Sequence, residues 1–155
     1  MHNYEIDGIL DQKFLKIPTQ KQLEKGVAII ECIQKIPCNP CVDSCPTGAI
    51  SMKDINEIPV VNYDKCIACF KCVGICPGLA IFVVNCKDDK AFITLAYEFL
   101  PEPVVGKKVQ VLDRAGKIVG NGIVKKVVKK DRTFVVTIEI KKDHLMIVRN
   151  LKVNL

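Results

Sequence analysis

Cys66-Ile-Ala-Cys69-Phe-Lys-Cys72-Val-Gly-Ile-Cys76-Pro77 packs four thiols into one short stretch, spaced C-x2-C-x2-C-x3-C and closed by proline. Much of this pattern occurs earlier in the chain. Cys38, Cys41, Cys45, Pro46, Ala49 and Ile50 are matched, at one constant offset, by Cys69, Cys72, Cys76, Pro77, Ala80 and Ile81. Self-similarity at a fixed offset marks two copies of one supersecondary unit. The register breaks once. Lys35 stands at that same offset before Cys66, and the nearest thiol is Cys32, so the first copy reads C-x5-C-x2-C-x3-C.

Composition narrows what these thiols do. The chain has 155 residues, is 49% hydrophobic and 26% charged, and can therefore bury a core. The longest apolar run, Leu79 to Val84, is far too short to cross a bilayer, so no membrane span is expected. Residues 1–10 carry Glu5 and Asp7 and lack the basic-then-apolar order of a secretory signal. The expected compartment is cytoplasmic, where nine cysteines, an odd number, do not read as a disulfide framework. Metal is the remaining use for thiols at this density.

C-x2-C-x2-C-x3-C-P is a spacing used to hold iron–sulfur clusters. Three thiols on one tight loop can occupy three corners of a cuboidal cluster while backbone amides turn toward the sulfurs. On these motifs, residues 20–86 resemble the bacterial-type ferredoxins with two [4Fe–4S] clusters. The resemblance implies a pseudo-symmetric βαββαβ fold in which the fourth cysteine of each copy serves the cluster of the other. It pairs Cys66, Cys69 and Cys72 with Cys45 in cluster 2, and Cys38 and Cys41 with Cys76 in cluster 1. Cys32 is the expected fourth ligand of cluster 1, with Gln34 to Pro37 bulging outward. The competing reading is a three-cysteine site holding a [3Fe–4S] cluster or one labile iron; a rearranged ligand set is a third.

Other thiol chemistries fit less well. Zinc ribbons need neither the third cysteine two residues on nor the following proline. Thioredoxin-type redox pairs need one isolated C-x-x-C, and radical enzymes with C-x3-C-x2-C would need a cysteine where Gly48 stands. Cys86, ten residues beyond Cys76 and mostly along extended chain, reads as a structural thiol. There is no nucleophile motif, G-x-G-x-x-G or phosphate loop, and His2 and His144 read as solvated side chains. No catalytic residue of the chain's own is expected.

Strands are expected at Gly26–Ile33 and Ala80–Asn85, paired antiparallel, with a hairpin at 49–52 and 58–62. Short helices are expected over Val42–Gly48 and Val73–Leu79, begun by the fourth cysteine of each copy. Ile33, Ile36, Val42, Ile50, Val61, Ile67, Val73, Ile75 and Ile81 would keep water from the clusters. Pro37 and Pro40 lack N–H groups, so the Cys38–Cys41 cluster is expected to have fewer N–H···S bonds and the lower potential.

Beyond Pro101-Glu102-Pro103 the composition changes. Residues 101–155 hold 13 basic and 5 acidic residues, a net of +8, whereas residues 1–100 carry a net of −2. Val104–Leu112, Ile118-Val119, Gly122–Val128, Thr133–Ile140 and Leu145–Val148 read as strands. Asp113–Gly116, Gly120–Gly122 and Lys129–Arg132 read as turns. The expected organisation is a 1–25 extension, a 26–90 dicluster ferredoxin domain and a 91–155 basic β-module, with a boundary near 101–103. The fold class is thus α+β, a ferredoxin-like domain followed by a small all-β barrel or sandwich. Phe134 is the one aromatic residue after position 100, which leaves little platform for stacking bases, so nucleic acid is not the expected partner.

A free ferredoxin needs no such appendage. Ile33-Gln-Lys-Ile-Pro-Cys-Asn-Pro-Cys41 and the β-tail are similar, less specifically, to the small iron–sulfur subunits of flavin-dependent amino-acid dehydrogenases of the proline and hydroxyproline type. That likeness implies an electron-transfer subunit of an oxidoreductase complex, docked through its β-module on a flavoprotein dehydrogenase subunit. The alternative is a stand-alone soluble ferredoxin carrying an accessory binding module.

Overall fold

The computed structural model describes residues 2–154. Helices α1 (Tyr4–Asp7) and α2 (Gln20–Lys25) precede strand β1 (Val27–Ile30). Helix α3 (Pro40–Ser44), the two-residue strands β2 (Ile50–Ser51) and β3 (Val60–Val61), helix α4 (Lys71–Ile75) and strand β4 (Ile81–Lys87) complete the cysteine-bearing half. Strands β5 (Lys90–Tyr97), β6 (Lys108–Leu112), β7 (Ile118–Lys130), β8 (Thr133–Ile140) and β9 (Asn150–Lys152) make up the rest.

From β1 to β4 the order is βαββαβ. Pro40 opens α3 and Lys71 opens α4; Ile50 opens β2 and Ile81 opens β4. Both pairs of starts stand at the offset that relates the cysteines of the two copies. β1 and β4 run antiparallel, with Val27 opposite Val84 and Ile30 opposite Ile81. β2 and β3 form the hairpin across a polar turn. The first three residues of β1 are buried, which explains its continuous apolar reading rather than an alternating one.

The two short helices differ from the expected bounds. They span residues 40–44 and 71–75, and Cys45 and Cys76 end them rather than begin them. The cause is Pro46 and Pro77. A residue before proline is driven out of the helical region, and Cys45 (ψ 111°) and Cys76 (ψ 115°) are both extended. Pro40 at the first helical turn of α3, where an N–H has no intrahelical partner, allows the early start.

One seven-stranded sheet, in the order β1-β4-β5-β8-β7-β6-β9, carries both halves of the chain. β4 turns directly into β5, with Cys86 opposite Ala91, so the sheet continues across positions 90 and 91 without a break. The tail strands therefore extend the sheet of the first half and do not form a separate two-sheet sandwich. β5 to β9 curl until β9 approaches β5. Ile29, Ile81, Ile93, Leu95, Val109, Val111, Val124, Val136 and Ile138 are essentially fully buried, so the core runs through both halves.

Three tail readings are corrected. Gly120-Asn121-Gly122 is strand interior, not a turn, within the 13-residue β7. A Cβ on Gly122 would lie 2.5 Å from Ile138 Cγ2 and 2.9 Å from the Glu139 carbonyl. Glycine here serves close approach to β8 rather than chain reversal. Leu145–Val148 is not a strand. The chain makes a 3-10 turn at Lys142–His144, and Leu145 and Val148, three apart, are both buried as on a helical turn. His144 is half-buried and its ring packs against Gly120, so it is not fully solvated.

A buried ion cluster joins the halves. Glu31, just past β1, accepts from Arg114 Nε at 2.6 Å and Nη2 at 3.1 Å, and from Arg149 Nε. Arg149 also donates to the carbonyls of Leu145 and Val148, and Arg114 to that of Met146. Among the described residues, no fully buried side-chain N or O lacks a partner. At the other end of the chain, the lead-in is tied down by Tyr63, whose hydroxyl donates to the Lys16 carbonyl at 2.7 Å.

Candidate metal centres

The C-x2-C-x2-C loop turns inward through strained backbone. Ala68 (φ 52°) and Phe70 (φ 67°) both adopt left-handed conformations that cost a residue with a Cβ about 1–2 kcal/mol each. Gly26, itself at φ 86°, makes room for this loop, because a Cβ there would meet Ala68 Cβ at 3.0 Å. Cys66 and Cys72 are buried and Cys69 is exposed. Their loop lines a cavity together with Cys45, which comes from the end of α3. Apolar walls from Ala28, Ile50 and Val83 complete it.

A second cavity is lined by Cys32, Cys38, Cys41 and Cys76. Cys76 comes from the end of α4, so each cavity receives one thiol from the other copy of the repeat. Ile30, Ile36, Pro59 and Ile81 supply much of the remaining wall. Cys32 follows Glu31, just past the end of β1. Lys35, which occupies the register position of a fourth thiol, is exposed and pairs at 3.2 Å with Glu57, a residue of the cavity lining.

Amides point at sulfur in both places. Ala28 N–H donates to Cys66 Sγ, and Ala80 N–H to Cys76 Sγ, each at 3.4 Å. Burial raises the Cys45 thiol pKa, but the Thr47 hydroxyl and the amides of Thr47, Ile50 and Ala49 outweigh it and hold the group below its ordinary value. Burial pushes Cys72 up to about 12, with the neighbouring Cys66 and Cys69 sulfurs adding to the effect. Cys41 is likewise raised, first by burial and then by Cys76. A group that brings positive charge would favour ionisation of thiols buried and crowded in this way.

The donor set suits iron–sulfur clusters: four soft sulfurs per cavity, amide donors toward sulfur and apolar walls. Among the described residues, no three His, Cys, Asp or Glu side chains converge tightly enough to hold a single metal ion. The sulfurs line a volume instead. Cys86 is buried in β4 and lines neither cavity. Of the nine aliphatic residues expected to exclude water, Ile36, Ile67 and Ile75 are about half exposed, and Val61 and Val73 are buried in the core without lining either cavity. Sequence reasoning missed the amide donors Ala28 and Ala80. It also missed Glu31, whose signal was available: one acidic residue inside the apolar run Val27 to Ile33.

Residues 28–77 match the 4Fe-4S dicluster domain family, so the chain carries a ferredoxin-type dicluster domain, which implies iron–sulfur clusters. Over 57 residues the chain is 40% identical to the polyferredoxin-like subunit of the aliphatic sulfonate oxidoreductase of Pyrococcus furiosus, covering 37% of this chain and 33% of that one. An uncharacterized ferredoxin of Methanocaldococcus jannaschii is 48% identical over 56 residues, 36% of each chain. A subunit of the sulfite dehydrogenase of Allochromatium vinosum is 50% identical over 38 residues, 24% of this chain and 16% of that one. The matched stretch thus spans about a third or less of the length of these curated relatives. No solved structure matches the chain. Among the described residues, no helix is long and apolar enough to cross a membrane.

Proposed function

We propose that this protein is the iron–sulfur electron-transfer subunit of an oxidoreductase complex and holds two [4Fe–4S] clusters. Cys66, Cys69, Cys72 and Cys45 hold one; Cys32, Cys38, Cys41 and Cys76 hold the other. The observation that carries the reading is the sorting of eight of nine cysteines into two groups of four around two separate cavities, with one thiol exchanged between the copies. When bound, a cysteine-ligated [4Fe–4S] cluster accepts and returns one electron. The chain's own residues hold, tune and shield. Eight thiols ligate, the amides of Ala28 and Ala80 offset negative charge on sulfur, and Ile30, Ile50, Ile81 and Val83 keep water from the cavities.

The organic chemistry belongs to a partner. Several relatives are named as subunits of a sulfonate oxidoreductase, a sulfite dehydrogenase and an arsenate reductase, which supports a subunit role. The partner we favour is a flavoprotein dehydrogenase of the amino-acid type, docked through residues 91–155. Anaerobic purification tests the reading directly. About eight irons and eight sulfides per chain are expected, with two overlapping signals in the EPR spectrum of the reduced protein. Colourless protein without inorganic sulfide after reconstitution would overturn it. Co-elution with a flavin chromophore supports the complex; a lone 17.3 kDa species favours the stand-alone ferredoxin.

A further inference from the structure

The tip of the β7–β8 hairpin is seated on the helix that bears Cys72. Gly74 makes this contact possible: a Cβ there would meet Lys130 Cδ and Val135 Cγ2, each at 3.1 Å. Lys126 Nζ lies 5.7 Å from the centre of the Phe70 ring, between Cys69 and Cys72 in the loop. Hairpin and helices flank an open groove whose charged lining is Lys71, Lys130, Asp131 and Arg132. Its floor includes Ser44 and Ile75, the residues immediately before Cys45 and Cys76.

Among the described residues, Lys71, Lys126, Lys130 and Arg132 form no ion pair. Asp131 is the one acid in the lining, so the groove is electropositive. The half-exposed Ile75 gives it an apolar spot. Unpaired cations around a small apolar centre, one residue from the thiol each cavity borrows from the other copy, make a surface suited to brief electrostatic docking close to both sites.

We propose that this basic groove docks an acidic redox protein and is where electrons cross between it and this chain. The proposal rests on the electron-transfer reading above and adds the surface and the charge of the partner. In the test reaction one electron leaves the dithionite-reduced protein and one ferric haem becomes ferrous in the acceptor. Two acceptors serve as probes under anaerobic stopped flow: an acidic b-type cytochrome and a basic c-type cytochrome.

For the native full-length protein, the rate with the acidic cytochrome is expected to fall as salt rises. The double variant Lys130→Glu/Arg132→Glu should lower that rate about tenfold at low salt, flatten its salt dependence, and leave the basic cytochrome's rate equal or higher. Iron content and the EPR spectrum of the reduced protein should be unchanged. Arg132→Gln, a milder change at the hairpin turn, should give a smaller loss in the same direction. A salt-independent native rate, unchanged rates in both variants, or an equal fall with both cytochromes would overturn the proposal. So would loss of iron in both variants, which would make the hairpin part of the cluster fold. Salt-sensitive retention on DNA, with the acidic cytochrome unaffected by the substitutions, would transfer the groove to nucleic acid. Native protein that holds no clusters would instead defeat the functional reading itself.

Discussion

The two cysteine loops descend from one pattern and solve it differently. The Cys66 loop has the compact spacing and reaches its shape through two left-handed residues, Ala68 and Phe70, accommodated by Gly26. The Cys38 loop has no positive-φ residue, contains two prolines, and draws on Cys32 from further upstream. One loop is shaped by local backbone strain. The other depends on the segment just past β1 being held from outside, because Glu31, beside Cys32, is gripped by Arg114 and Arg149 from the far half of the chain. On the proposed ligand sets, equal ligand chemistry does not need equal local structure. Four cysteines line each cavity, and tertiary contacts can replace loop geometry in bringing them there.

The sharpest way to break this comparison is Cys32→Ala. One [4Fe–4S] signal should disappear or convert to a [3Fe–4S] signal in the EPR spectrum, while the other remains. Two unchanged [4Fe–4S] signals would remove Cys32 from the ligand set. Adding Lys35→Cys to that variant restores the position demanded by the repeat, yet no recovery is expected, because the Lys35 side chain is 66% exposed and does not line the cavity.

Next in size is the external support of the Cys38 loop. Glu31→Gln leaves two buried arginines without their carboxylate and should cost about 3–5 kcal/mol in denaturant unfolding. Iron should be lost to a chelator sooner from the Cys38 site than from the Cys66 site. Equal loss from both would deny the triad a local role. Gly26→Ala is the corresponding lesion on the other side. Strain at φ 86° and the contact with Ala68 should cost about 1–3 kcal/mol, with the Cys66 site the more labile.

The smallest effect sharpens the electronic side. Pro40→Ala returns an N–H to the Cys38 loop. If that N–H bonds to sulfur and stabilises the reduced cluster over the oxidised one by about 0.5–1.5 kcal/mol, the potential of that site alone rises by about 20–65 mV for a one-electron couple. Redox titration followed by EPR measures it. An unchanged or lowered potential would mean that proline placement does not set the difference between the sites.

Much of the cluster half was legible because its signals are local. A fixed offset between copies, thiol spacing and prolines act over a few residues, and the β1–β4 pairing was expected from two apolar runs together with the fold that the resemblance to ferredoxins implies. The helix limits were less legible. A thiol beside proline suggests a helix start, whereas Pro46 and Pro77 carry the opposite instruction and expel the preceding cysteine from the helix. In the tail, Gly120 and Gly122 imitated a turn because glycine marks both chain reversal and close packing, and only the position of Ile138 distinguishes them.

What the sequence by itself determined was the thiol chemistry, the two-copy arrangement and the excess of positive charge after residue 100, all properties of residue type and spacing. Only the tertiary structure decided that the tail strands continue the sheet of the cluster half, that Arg114 and Arg149 close on Glu31, and that the lysine-bearing hairpin lies against the helix of Cys72. These are contacts between residues far apart in the chain. Burial of apolar surface and pairing of buried charge choose such contacts for the whole chain at once, and no local pattern encodes them.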